Sequence, residues 1–76
     1  MRLDLFLKET RIIKRRTIAK EYCDRGLVIA NDKVAKPSFE VKDGDNIDIK
    51  LGSKVLSITA RIEQGNKKEK ASYEPR

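Results

Sequence analysis

The sequence predicts a small α+β domain in which two short N-terminal helices pack on a small antiparallel β-sheet. Three observations carry that expectation. Apolar residues recur at helical spacing before Gly26 and at alternating positions after it. Short turn signals separate the alternating runs, which suits hairpins rather than long crossovers. The chain has 76 residues, room for one core only, since a chain this short buries just about 60% of its unfolded surface.

Leu3, Phe6 and Leu7 form the apolar stripe of a helix over about residues 2–9. Asp4 in its first turn and Lys8 near its end both suit the helix dipole. A second helix is expected over residues 14–25, with Ile18, Ala19, Tyr22 and Cys23 on its apolar face and Gly26 as a left-handed stop. It lacks an obvious Ser, Asp or Asn cap, and Thr10 and Thr17 are the nearest substitutes. Leu27–Ala30, the pair Asn31-Asp32 and Lys33-Val34 read as a β-hairpin. Both turn residues tolerate positive φ, although Asp is a poorer second turn residue than Gly.

Pro37 interrupts the chain, Phe39 and Val41 alternate, and Asp43-Gly44 turns it. Ile47, Ile49 and Leu51 alternate with Asp48 and Lys50 as a half-buried strand. After a turn at Gly52-Ser53, Val55, Ile58 and Ile62 supply a last strand. The folded domain is therefore expected over residues 1–62. Residues 63–76, nearly without apolar side chains and carrying Lys67-Lys68-Glu69-Lys70, are expected as a basic, disordered tail.

The charge is unevenly spread. The net charge is +6, and residues 1–36 hold ten basic and five acidic side chains, while residues 37–62 hold four of each. Between Lys8 and Lys20, six bases (Lys8, Arg11, Lys14, Arg15, Arg16 and Lys20) face the single acid Glu9. A merely solvated helix face would intersperse Glu to form i, i+4 pairs. This one does not. Positive charge concentrated on a core-forming segment is the footprint of a phosphate-backbone binder. Arg16 and Lys20 project to one flank of the apolar face, so a basic ridge runs from Arg11 through residues 14–16 to Lys20 at a helix N-terminus.

The candidate RNA-binding residues are Arg2, Arg11, Arg15, Arg16 and Lys20 on phosphates, with Lys8 and Lys14 in support. Asn31, Lys33 and Lys36, around the hairpin, are expected to reach a second RNA surface. A protein-interaction module with an acidic partner is the competing class. Membrane binding is disfavoured, because the opposite helix face is committed to a core and no apolar run approaches the roughly 20 residues of a bilayer span.

Catalysis is the least favoured class. His is absent, and no Gly-rich phosphate loop or nucleophile motif occurs. Cys23 is alone and lies on an apolar helix face, so it reads as a buried thiol in a reducing compartment. Phe6 and Tyr22 occupy core positions, Tyr73 lies in the tail, and Asp43, Asp45 and Asp48 read as turn and exposed strand residues. Neither a cofactor nor a metal is expected. The start, Met1-Arg2-Leu3-Asp4, has no apolar stretch or small-residue cleavage site, so a cytoplasmic location is expected.

Taken together, Arg2-Leu3-Asp4, Arg15-Arg16-Thr17-Ile18-Ala19, Gly26–Asp32 and Gly44-Asp45-Asn46-Ile47 resemble the αL RNA-binding motif, the domain named after small-subunit ribosomal protein four. The resemblance runs from Arg2 to about Leu51. Two positions depart from it: Arg15 stands where the pattern has Ser, and Asp32 where it has Gly. Leu3–Lys8 and Lys14–Glu21 further resemble the RqcP (YabO) group of stand-alone domains. That resemblance implies a monomeric, ribosome-associated factor of bacterial quality control. It implies binding to the obstructed 50S ribosomal subunit through 23S rRNA and peptidyl-tRNA, and work with RqcH to extend the stalled chain with alanine. The heat-shock member of the same domain class, which binds stalled large subunits, is the alternative relative.

Overall fold

The computed structural model describes residues 1–65 and 68–76. Its elements follow the order α1 (Leu3–Glu9), α2 (Arg16–Asp24), β1 (Val28–Ala30), β2 (Lys33–Val34), β3 (Asn46–Leu51), β4 (Lys54–Gln64) and β5 (Glu69–Pro75). The strands form one antiparallel sheet in the order β2-β1-β3-β4-β5. The predicted α+β class is the observed one. The helices pack on one face of the sheet, and the other face is open to water, as antiparallel sheets allow.

The stripe of α1 is fully buried: Leu3, Phe6 and Leu7 join Ala19 and Cys23 of α2 and Val28, Ile47, Ile49, Ile58 and Ala60 of the sheet in one core. No side chain caps α1 from the N-cap position. The loop before β3 satisfies its first turn instead. The Leu3 N–H donates to the Phe39 carbonyl at 2.8 Å and the Asp4 N–H to the Pro37 carbonyl at 3.1 Å. The Leu5 N–H donates to the Asp4 carboxylate at 2.8 Å.

Helix α2 begins at Arg16, two residues later than the spacing suggested, and also without a side-chain cap. It ends as expected. Gly26 takes φ +73°, and the Gly26 and Leu27 N–H groups donate to the Cys23 and Tyr22 carbonyls, closing the helix. Of the expected apolar face, Ala19 and Cys23 are buried and Tyr22 is half-buried, but Ile18 sits at the rim, 37% exposed.

The β1–β2 hairpin turns on Asn31 and Asp32, at φ +50° and +70°, the two left-handed residues that a tight primed turn requires. Asp32 thus serves where Gly is usual. The Asn31 amide locks the turn to β3, donating to Asp45 at 3.1 Å and accepting from the Asn46 N–H at 3.0 Å. Lys36-Pro37-Ser38-Phe39 forms a turn closed by the Phe39 N–H on the Lys36 carbonyl at 3.0 Å, with Pro in its favoured second position. Phe39 and Val41 therefore flank a single bridge, Arg2 to Glu40, and not a strand.

Val55, Ile58 and Ile62 all lie in the expected last strand. In β4 the inward positions are Ile58 and Ala60, flanked by the half-buried Leu56 and Ile62. Val55 pairs with Lys50 on the outer face and is 58% exposed. One expectation requires correction. The expected disordered tail from residue 63 contains the end of β4 and the whole of β5, which pairs with β4 from Ile58↔Pro75 to Gln64↔Glu69. An edge strand needs only one apolar flank. Ala71 and Tyr73 supply it opposite Ile62 and Ala60, while Arg61 pairs with Glu74 and Arg76 with Asp48 on the other side. Lys67, named with the tail, lies outside the described residues.

Candidate RNA-binding surface

Asp4 organises the basic surface. It is 3% exposed, yet its carboxylate touches two cations. Arg2 approaches it through Nε at 3.3 Å and a terminal nitrogen at 3.2 Å, and Arg16 reaches it from α2 at 3.5 Å. Burial pushes the Asp4 carboxyl up, but the Leu5 N–H, Arg2 and Arg16 outweigh burial and hold it below its ordinary value. Both guanidiniums remain about half exposed. One buried carboxylate therefore fixes two arginines side by side, one at the N-cap of α1 and one in the first turn of α2, with donors left over for a phosphate oxygen.

The remaining bases extend this pair in two directions. Arg2, Lys20 and Lys36 line a shallow groove with Asp24, Pro37 and Ser38, because the 36–39 turn is stitched to the start of α1. Lys8, Arg11 and Lys14 line a second depression with Glu9, where the chain leaves α1. Arg11 takes φ +62° there, a left-handed conformation that costs a non-glycine residue roughly 1 kcal/mol. Its N–H donates to the Lys8 carbonyl at 3.0 Å and terminates the helix. Arg15 is the N-cap of α2 and is exposed. Lys33 and Lys36 line a third depression beside the hairpin, so Lys36 joins the hairpin cluster to the helical ridge.

Nine of the ten predicted residues are exposed cations, and among them Arg2, Arg16, Lys20, Lys33 and Lys36 adjoin through Asp4 and the shared depressions. Asn31 differs, because its side-chain oxygen and nitrogen are both used within the chain. Sequence reasoning overlooked Asp4 as the anchor of two arginines. Its partner Arg16 is twelve positions away and meets it only once α1 and α2 pack. Lys68 and Lys70, expected in a disordered tail, instead line a depression with Glu9, Glu69 and Ala71. The alternation of Ala71 and Tyr73 was the available signal. Asp43 and Asp45 lie at the expected turn, accepting from the Ile62 and Lys42 N–H groups, while Asp48, expected as an exposed strand residue, is half-buried and accepts from Arg76.

Among the described residues no cluster of three or more His, Cys, Asp or Glu side chains is arranged to hold a metal. Burial, and then the charges of Asp4 and Asp24, push the Cys23 thiol up to about 11, so it stays protonated and unreactive. No helix among the described residues is long and apolar enough to cross a membrane.

Comparison with known proteins agrees with this fold. The model of the S4 domain matches residues 1–47. The RQC P-site tRNA stabilizing factor of Halalkalibacterium halodurans is 45% identical over 73 residues, covering 95% of this chain and 83% of that protein. The protein of that name from Bacillus subtilis is 44% identical over 73 residues, covering 95% and 85%. Among solved structures, trimeric heat shock protein 15 of Vibrio cholerae superposes with a TM-score of 0.81 at 28% identity, over all of this chain and 81% of that one. The two helices and the β1–β2 hairpin, within residues 1–47, are thus those of an S4 domain, and the chain belongs to the family of RQC P-site tRNA stabilizing factors.

Proposed function

We propose that the chain is a non-catalytic RNA-binding factor of ribosome-associated quality control. It binds the obstructed large ribosomal subunit as a monomer in the cytoplasm, contacts 23S rRNA and the peptidyl-tRNA, and supports RqcH-dependent alanine tailing. The observation that carries this reading is the connected basic surface built around Asp4, in a chain whose relatives are named for stabilizing tRNA in the P site. Phosphate contacts position a protein without reading sequence. Selectivity therefore comes from the shape of folded RNA. The work done is a population shift, favouring one arrangement of tRNA on the subunit over others.

Nucleotide-resolution crosslinking in cells tests the reading. Crosslinks should concentrate on tRNA and 23S rRNA, whereas crosslinks spread over transcripts would sink it. The fold likeness to heat shock protein 15 favours a second reading, a large-subunit recycling factor without a part in tailing. Loss of alanine tails from a stalled reporter in cells lacking the protein supports the first reading; intact tails support the second.

A further inference from the structure

Between the β1–β2 hairpin and the 36–39 turn lies an open depression of about 560 Å³, within the range of small-ligand sites. Its wall is partly apolar. Val34 is 66% exposed on the two-residue strand β2, and Phe39 is half-buried at the other side. The backbone around Phe39 is held on both sides, since its N–H is bound to the Lys36 carbonyl and its carbonyl to the Leu3 N–H. Lys33, Lys36, Ser38 and Asn31 supply its polar lining, beside Ala30 and Ala35, and no carboxylate is among these lining residues.

We propose that this depression receives one unstacked nucleobase of the bound RNA, seated against Phe39 and Val34, with its flanking phosphates on Lys33 and Lys36. The proposal deepens the RNA-binding reading above and rests on it. Continuity identifies the occupant: Lys36 and Ser38 also line the groove of Arg2 and Lys20, so a backbone lying in that groove leads to the mouth of the depression. An aromatic wall beside two cations suits a base, whose π-face stacks while its phosphates pair. A carboxylate in the lining would oppose a nucleotide, and none is present among the described residues.

The experiment measures binding of the full chain to a transfer RNA transcript across a salt series. Phe39→Leu keeps an apolar side chain of similar size and removes the ring. It should weaken binding about five-fold or more at an unchanged salt slope. Val34→Ala, at a 66% exposed position on the edge strand, should weaken binding less, again with the slope unchanged. Lys36→Ala should flatten the slope by about 0.9, as for one lost phosphate contact. Wild-type affinity in both Phe39→Leu and Val34→Ala would overturn the base pocket and leave RNA binding standing. Wild-type RNA affinity together with lost crosslinks to a large-subunit protein would assign the depression to a protein segment and equally overturn it. A flattened slope in Phe39→Leu would show that Phe39 acts by holding the lysines, not by stacking, and would overturn the base pocket. No salt-dependent binding by the unaltered chain would overturn the RNA-binding reading itself.

Discussion

Asp4 carries a charge in a place where an unpaired one is not tolerated, and its two arginines make it tolerable. Folding holds the carboxyl below its ordinary 3.8, so the charged form adds stability above that pH and the contribution fades as pH falls through the lowered native value. Asp4→Asn should cost about 1–2 kcal/mol at neutral pH, discounted because both arginines are half exposed. The gap between variant and wild type should close on acidification below about pH 4. Denaturant unfolding across pH checks this, and a constant gap would mean that the charge is irrelevant. Arg11 poses a different question, because its backbone is left-handed. Arg11→Gly removes that strain but adds freedom to the unfolded chain, two effects of about 0.5–1 kcal/mol that oppose each other. Thermal unfolding should move little, while RNA affinity falls and the salt slope flattens by about 0.9. A large stability change would mean that the Arg11 side chain holds the loop.

At the level of elements, the readable ones were those whose signal is local. The α1 stripe, the Gly26 stop, the Asn31-Asp32 turn and the alternation of β3 each depend on residues within a few positions of one another. Strand β5 depends on β4 instead: averaged over residues 63–76 its composition looks solvated, and its single flank of Ala71 and Tyr73 acquires meaning only opposite Ile62 and Ala60. Which β4 residues face inward was not legible for the same reason, because the turn at Gly52-Ser53 sets which alternate residues do so. Truncation after Gly65 should therefore lower stability by about 1–2 kcal/mol, since Ile62 and Ala60 lose their cover and β4 becomes an edge. Unchanged thermal unfolding of the truncated chain would mean that β5 contributes nothing.

Over the whole molecule, the basic surface was legible because charge segregation is a property of composition, whereas its anchoring was not, because Asp4 and Arg16 meet only through tertiary packing. If about five phosphates are neutralised, log affinity for large subunits should fall with log salt at a slope of roughly −3.5 to −4.5. Arg16→Ala should lose far more binding than Lys54→Ala, which lies at the start of β4 away from the ridge. Equal losses would mean that the ridge is not the interface. The stitching of α1 to residues 37–39 also bears on how the chain comes together in time. A seven-residue helix without a side-chain cap is unstable by itself. Helix α1 thus becomes persistent only when the middle of the chain has been made and has closed back on it. Synthesis from the N-terminus produces the first helix early and folds it late. A peptide ending at Arg25 should show no α1 helicity by circular dichroism or NMR, and the signal should return in a chain that includes the sheet.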